Sequence, residues 1–153
     1  MPDSVARAVL RDTPLLQCDQ TLREALRELV ESDLPALPVV DARDRLAGIF
    51  GEREFIGAIF PGYLKEMRYA AFVPGTLDDA LQKRAAAAGE PVAAHMNSEH
   101  IDVDTNVSDV GLAEIFLHHR VLVVPVIGDG RVVGVVRRTD FFRELARRML
   151  EAS

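Results

Sequence analysis

The amino-acid sequence predicts a mixed α/β protein in which one strand–helix–strand–strand–helix unit occurs twice. Two observations support this fold class. Leu34–Phe55 and Val121–Phe141 share one order of residues: an apolar run with a Pro, a polar turn, and a second apolar run with a Gly. Each copy also follows a segment with the apolar spacing of an amphipathic helix. Two units of this size fit within a single module of 153 residues.

The two copies align over most of their length. Pro38 matches Pro125 at an offset of 87 residues, and Gly48 matches Gly134 at an offset of 86. The one-residue difference falls in the polar turn, where DARDR in the first copy becomes GDGR in the second. Upstream, Val5–Ala25 resembles Pro91–Gly111. The copies are therefore related and have diverged.

The first copy gives clear local signals. Thr21 followed by Glu24 forms the pattern of a capping box and predicts the start of a helix. Short apolar runs around a polar turn predict strands at Leu37–Val40 and Leu46–Phe50. Glu52–Ile59 is predicted to form the closing helix. The apolar face of the first helix comprises Leu22, Ala25, Leu26, Leu29 and Val30.

The second copy repeats these signals. Ser108 or Asp109 is predicted to cap a helix, and strands at Val121–Ile127 and Arg131–Val136 flank a Gly-Asp-Gly turn. A last helix is expected from Thr139 to Leu150. Its predicted apolar face comprises Phe141, Phe142, Leu145 and Met149.

A connector separates the copies, so we expect three segments: a first repeat at residues 1–59, a helical connector at 60–90 and a second repeat at 91–153. Pro-Gly pairs break the connector twice, and Thr76 is expected to cap a helix within it. Gly89 followed by Pro91 predicts its end. The connector is too apolar for a free tether, and we expect it to pack, against a partner subunit if one is present.

Composition restricts the classes of function. The net charge of −6 argues against a dedicated nucleic-acid binder. The single cysteine, Cys18, excludes an internal disulfide and a multi-cysteine zinc site. The start of the chain lacks the apolar core of a signal peptide, and the longest apolar run, Val121–Ile127, is too short to cross a bilayer. We therefore expect a cytoplasmic protein without a membrane partner.

The sequence contains no recognised catalytic or metal-binding motif. HExxH, Walker and GxSxG patterns are absent, and the adjacent His118 and His119 would point in different directions on a helix. Cys18 lies in a predicted strand, where packing is a better explanation than nucleophilic chemistry. We expect no enzyme activity, no metal and no required cofactor.

Together these residues resemble a tandem cystathionine-β-synthase-type (CBS) domain pair, or Bateman module, of the stand-alone bacterial type. The resemblance is carried by PVAAHM at Pro91–Met96, by LPVV at Leu37–Val40 and VPVI at Val124–Ile127, and by GVVRRTD at Gly134–Asp140. It implies two repeats packed about a pseudo-twofold axis, with two clefts between them. Such modules commonly dimerise and bind AMP, ADP, ATP or S-adenosylmethionine, and they regulate an effector protein.

The resemblance also implies a ligand site in the second repeat. Its ribose-binding Asp maps to Asp140, and its usual Thr or Ser maps to Arg137, which departs from the family pattern. Capping of the last helix by Asp140 or by Thr139 is the competing interpretation. Arg120 stands where some relatives contact phosphate. The remaining expected site residues are Arg138, Ile101, Val124, Pro125, Asn97 and Ser98.

The equivalent first-repeat site is expected to be weaker. Glu54 stands at the ribose position and is one methylene longer than Asp, while Gly51 stands at the Thr position and offers no side chain. Leu37 and Pro38 would complete this site.

The sequence therefore predicts a regulatory, ligand-sensing homodimer that signals to a separate effector protein. One alternative is a protein-interaction scaffold without a small ligand. The other, which is weaker, is nucleic-acid binding through the arginines of the last helix, Arg143, Arg147 and Arg148.

Overall fold

A computed structural model describes residues 4–60, 78, 81, 82 and 84–153 of the chain. The first repeat contains α1 (Val5–Ala8), β1 (Leu16–Gln17), α2 (Leu22–Glu31), β2 (Ala36–Val40), β3 (Leu46–Gly51) and α3 (Glu52–Ile59). Two 3-10 turns follow, at Ala85–Gly89 and Val92–Ala94. The second repeat contains β4 (Val103–Asp104), α4 (Asp109–His118), β5 (Val123–Gly128), β6 (Arg131–Arg137) and α5 (Arg138–Ala152).

Each repeat forms its own three-stranded sheet, and the two sheets have the same topology. The strand orders are β1-β2-β3 and β4-β5-β6. In both sheets the first pair is parallel and the second is antiparallel. Register shifts occur at matching places, Val39/Val40 and Val126/Ile127. These sheets and their helices confirm the predicted fold class of two related α/β units.

The predicted helix starts are confirmed in both repeats. The Thr21 side chain accepts a hydrogen bond from the Glu24 N–H, and Glu24 accepts one from the Thr21 N–H, which completes the capping box. Ser108, rather than Asp109, caps α4 by accepting from the Gly111 N–H. The first strand of the second hairpin begins at Val123, two residues later than predicted.

The hairpin turn of the second repeat follows the ordinary chemistry of tight turns. Asp129 and Gly130 both have positive φ, at 53° and 79°. Positive φ at both central residues is the requirement of the type I′ turn, whose twist matches that of the flanking strands. The Gly-Asp-Gly segment is therefore a structural turn.

Two apolar clusters form the core, and they divide approximately by repeat. The first includes Leu16, Leu37, Val39, Phe50 and Val92, together with Val123 and Val135 from the second repeat. The second includes Val5, Leu112, Val124, Val136 and Phe141. Because each cluster takes side chains from both repeats, neither repeat buries its apolar surface alone.

The leading segment of each repeat pairs with the last strand of the other. Arg11 exchanges two backbone hydrogen bonds with Val135 of β6, both 2.9 Å long. Asn97 exchanges two with Ile49 of β3, at 2.8 and 2.9 Å. The two pairs are related by the repeat offset of 86 residues. This exchange sets which residues from each repeat face each other across a cleft.

Within the connector, the structure describes residues 60, 78, 81, 82 and 84–90. There, Ala85–Gly89 forms a 3-10 turn in which Ala87 is buried, and Arg84 Nε donates to the Ala58 carbonyl at 2.8 Å. The cap expected at Thr76 lies outside the described residues, whereas Asp78, Leu81 and Gln82 are helical. The three segment boundaries remain predictions. None of the helices that the structure describes has the length and apolarity needed to span a membrane.

Candidate functional site: two clefts between the repeats

The first cleft lies between the end of β3, the start of α3 and two segments of the second repeat. It encloses a cavity of about 210 Å³. The apolar residues of its wall are Pro35, Ala36, Ile49, Ile101, Val121, Leu122 and Val123. Its polar residues are Glu52, Arg53, Glu54, Asn97, Glu99, His100 and Arg120. This combination of apolar walls and a few polar groups is typical of small-molecule sites.

Glu54 is the carboxylate in the first turn of α3. Its Oε1 accepts a hydrogen bond from the Gly51 N–H at 2.9 Å. Its Oε2 has no hydrogen-bond partner among the described residues. The backbone bond fixes the side chain at the helix start, where negative charge is favoured. One oxygen is thus left to accept hydrogen bonds from a bound molecule.

The rim of the first cleft carries both signs of charge. Arg53 and Arg120 are exposed and form no ion pair within the described residues, so their guanidinium groups are available to an anionic group. Nearby, Nδ1 of His100 is buried without a hydrogen-bond partner in the described part of the chain. A buried nitrogen without a partner is energetically unfavourable.

The second cleft contains a cluster of four charged side chains, Arg11, Asp33, Arg137 and Asp140, which we call the four-charge cluster. Arg137 donates to both oxygens of Asp140, from Nε at 3.2 Å and from Nη2 at 2.9 Å. Arg11 Nη1 donates to Asp140 at 3.3 Å. Asp33 completes the ring, 3.6 Å from Arg11 and 3.4 Å from Arg137. The carboxylate predicted to hold ribose is therefore paired internally.

The pairing shifts the titration of both central residues. Hydrogen bonds from Arg137 lower the pKa of Asp140 below its ordinary value, and the charges of Arg137 and Arg11 lower it further. The same contact raises the pKa of Arg137. Asp140 is therefore ionised at neutral pH and strongly held. Neither Asp140 nor Thr139 caps the last helix, since α5 has Arg137 at its N-cap position and no side-chain cap.

The structure divides the predicted site residues between the two clefts, which corrects their assignment to one site with Asp140. Asn97, Ile101 and Arg120 line the first cleft, with Glu54. Thr139 and Arg137 lie beside Asp33 at a more open depression of the second cleft. The reason is the strand exchange, which places Asn97 against Ile49 of the first repeat. Ser98 and Arg138 are exposed and line neither.

Four residues predicted to wall the clefts are packed inside the core instead. Val124 and Pro125 in β5, and Leu37 and Pro38 in β2, are each less than 2% exposed. The strand residues that do reach the cavity lie just before them. Val123 and Ala36 line the first cleft. Gly51 is buried, and a Cβ there would lie 2.5 Å from the Pro35 carbonyl oxygen, so the position has no room for a side chain.

Several residues of the clefts were not predicted from the sequence. Glu52, Arg53, Glu99 and His100 line the first cleft, and Arg11 belongs to the four-charge cluster. A signal for Arg11 was present, because the offset of 86 residues relates it to Asn97. Residue spacing did not predict that the leading segment of each repeat pairs with the last strand of the other repeat.

Other candidate groups have structural roles. Arg147 pairs with Glu144 and Glu151, and Arg148 pairs with Glu144, so these guanidinium groups are already compensated along α5. The hydrogen bonds of Arg147 and Arg148 lower the pKa of Glu144 to about 2. Cys18 packs against the first apolar cluster, and burial raises the pKa of its thiol. Among the described residues, no three His, Cys, Asp or Glu side chains are grouped to hold a metal ion.

Comparison with known proteins also divides the chain into two related domains. The family model described as "CBS domain" matches residues 6–61 and 93–147. Hypoxic response protein 1 of Mycobacterium tuberculosis is 28% identical over 126 residues, which is 82% of this chain and 73% of that protein.

Solved structures share the fold at low sequence identity. The CBS-domain protein ATU1752 of Agrobacterium tumefaciens is 23% identical with a TM-score of 0.67, covering 91% of this chain and 88% of that one. MJ1225 of Methanocaldococcus jannaschii is 21% identical with a TM-score of 0.74, covering 93% of this chain and 50% of that one. CBSX2, solved in complex with AMP, is 18% identical with a TM-score of 0.70, covering 95% and 98%. With two matched domains that coincide with its two structural repeats, the chain belongs to the CBS-domain family and is a tandem CBS pair.

Proposed function

We propose that this CBS pair is a regulatory module that binds an adenosine-containing ligand in the first cleft and signals to a separate effector protein. The observation that carries the proposal is the difference between the clefts. The first holds an open cavity beside Glu54, whereas Asp140 in the second is paired with two guanidinium groups. This proposal reverses the order of the two sites that was expected from the sequence.

The residues of the first cleft suit such a ligand. By the repeat offset, Glu54 is the counterpart of Asp140, the residue at the family's ribose position. A carboxylate accepts hydrogen bonds from vicinal hydroxyls. Ile49, Val121 and Val123 supply apolar surface for a purine ring, and Arg53 and Arg120 can meet a phosphate. The AMP bound to CBSX2 supports this ligand class.

Isothermal titration calorimetry with AMP, ADP, ATP and S-adenosylmethionine tests the proposal. We expect Glu54→Gln to weaken binding by roughly tenfold, because an amide cannot accept at both positions and carries no charge. Asp140→Asn serves as the matched control, since it makes the same change at the equivalent position of the other repeat. We expect it to change the affinity by less than about twofold.

Two results would contradict the proposal. If Asp140→Asn abolishes binding and Glu54→Gln does not, the ligand occupies the second cleft. If none of the four ligands binds to the wild-type protein, the ligand class is wrong and the scaffold becomes the better explanation. The four-charge cluster is the observation that favours a scaffold, because the charged groups of one cleft are already paired with each other.

Homodimerisation and a cytoplasmic location belong to the same proposal. Nucleic-acid binding has little support, since Arg147 and Arg148 are paired with carboxylates.

A further inference from the structure

The four-charge cluster joins the two repeats. Arg11 precedes β1 and Asp33 follows α2, both in the first repeat, whereas Arg137 and Asp140 flank the junction of β6 and α5 in the second. Every member pairs with both oppositely charged members, at 2.9 to 3.6 Å. The cluster is therefore a closed ring of alternating charges across the second cleft.

The two carboxylates of the ring are held very differently. The Asp140 side chain is 20% exposed and accepts three hydrogen bonds, two from Arg137 and one from Arg11. The Asp33 side chain is 83% exposed, and its carboxylate reaches the guanidinium groups only at 3.4 and 3.6 Å. Exposed ion pairs at such distances contribute little free energy. Asp33 is the member that a competing anion could displace.

The Asp33 carboxylate occupies a position between two guanidinium groups, where another anion could bind in its place. The side chains of Arg11 and Arg137 are only 34% and 19% exposed, and both guanidinium groups approach it. Arg137 is further fixed by donating from Nη1 to the Asp33 carbonyl oxygen at 3.0 Å. Two guanidinium groups held in place by Asp140 form a suitable site for a phosphate group.

We propose that Asp33 is an internal, displaceable anion that closes an anion site formed by Arg11 and Arg137 in the second cleft. In the state described here, the chain's own carboxylate occupies the place of a phosphate group. A phosphorylated ligand must displace it to bind. The second cleft is thus autoinhibited, and its closure is independent of whether the first cleft binds adenosine.

The test uses inorganic pyrophosphate as the probe, titrated by calorimetry into the full-length chain at low ionic strength. We expect Asp33→Asn to raise the affinity by roughly five- to tenfold, because it removes a negative charge within a few ångströms of the bound anion. The bond from Arg137 to the Asp33 backbone carbonyl is retained in this variant. Adding Arg137→Ala to Asp33→Asn should remove the gain.

Asp44→Asn is the matched control. Asp44 is also an exposed aspartate in a long ion pair, because its Oδ2 lies 3.8 Å from Nη1 of Arg131. This pair joins the turns of the two hairpins and lies outside the four-charge cluster. An equal gain in both variants would show a general effect of net charge and would overturn the proposal. No gain with Asp33→Asn, or a gain that persists when Arg137→Ala is added, would overturn it too. Urea unfolding of each variant checks that the protein is folded under the conditions of the titration.

Discussion

At the scale of single residues, close backbone approach explains why both repeats carry a glycine at the same position, Gly48 in the first and Gly134 in the second. A Cβ on Gly48 would lie 2.7 Å from Met96 Sδ and 2.9 Å from the Asn97 carbonyl oxygen. A Cβ on its counterpart, Gly134, would lie 2.6 Å from the Arg11 carbonyl oxygen. Both glycines therefore permit the leading segment of the other repeat to pair with the last strand.

Two Gly→Ala changes should therefore have opposite effects on stability. Gly48→Ala should lower the free energy of unfolding by about 1–3 kcal/mol, because the Asn97 backbone must move away from Ile49. Gly57→Ala should raise it by about 0.5–1 kcal/mol, since Gly57 lies in α3 and a Cβ there meets nothing within 4 Å. Urea denaturation followed by circular dichroism measures both. A Gly48→Ala protein as stable as wild type would show that the pairing adapts freely.

Asp140 gives a residue-scale prediction about pH. Its folded pKa is lowered by Arg137, so the unfolded chain binds more protons in acid. The stability that Asp140 contributes is complete above its ordinary pKa of about 3.8 and is lost as the pH falls toward the lower folded value. Arg137→Gln should reduce the pH dependence of stability below pH 5.

Urea midpoints at neutral pH and at several values below pH 5 measure this dependence. Arg138→Gln is the control, because Arg138 is exposed and adjacent but its side chain lies outside the four-charge cluster. The Glu144 carboxyl also titrates in this range, but it does so equally in both variants. Identical slopes in the Arg137 and Arg138 variants would refute the assignment of the shift to Arg137.

At the scale of elements, α1 is held by the start of α4. The Asp109 carboxylate accepts hydrogen bonds from the Val5 and Ala6 N–H groups, at 2.9 and 3.0 Å. Both residues are buried, at 3% and 8% exposure. One side chain thus satisfies two amides that the four-residue helix cannot satisfy itself.

Asp109→Ala should therefore detach α1. Two buried N–H groups would lose their acceptor, and we expect a loss of about 2 kcal/mol in the free energy of unfolding. Hydrogen exchange of the Val5 and Ala6 amides should accelerate more than exchange in β5. Glu114→Ala, an exposed change on the same helix, is the control and should leave both measurements unchanged. Unaltered exchange at Val5 and Ala6 would show that α1 is held by packing alone.

Local elements were predictable because their signals are local. The capping box at Thr21 and the strand-length apolar runs each specify structure within a few residues, and α3 has the bounds expected from sequence. The clefts were less predictable, because they depend on which repeat receives each leading segment. The ion pairs around Asp140 were not predictable for the same reason: Arg11 and Asp33 are distant from it in sequence, and only the folded arrangement brings them together.

At the scale of the whole molecule, apolar side chains remain exposed at equivalent places of both repeats. Val30 on α2 and Leu117 on α4 are 75% and 81% exposed, and their offset is 87 residues. Ile56 on α3 and Phe142 on α5 are 55% and 63% exposed, at an offset of 86. Met149 on α5 is also 76% exposed. The predicted apolar faces of α2 and α5 thus turn partly toward solvent.

A twofold dimer uses the same residues of both copies, so exposed apolar side chains that recur in both repeats can be buried against a second copy of the chain. We therefore expect a homodimer that buries these helix faces. Leu117→Glu combined with Phe142→Glu should weaken the dimer by several hundredfold or more, since each lost side chain contributes about 2 kcal/mol of apolar burial and each new carboxylate must be desolvated. Size-exclusion chromatography with light scattering across a dilution series gives the dissociation constant.

Val133→Glu is the control for the dimer experiment, because Val133 is a 43% exposed apolar residue on β6 rather than on these helices. It should leave the dimer intact while making the same chemical change. If the double variant dimerises as wild type does, another surface forms the interface. If the wild-type chain is a monomer at all concentrations tested, the exposed helix faces serve a different protein, and the effector itself becomes the first candidate for that partner.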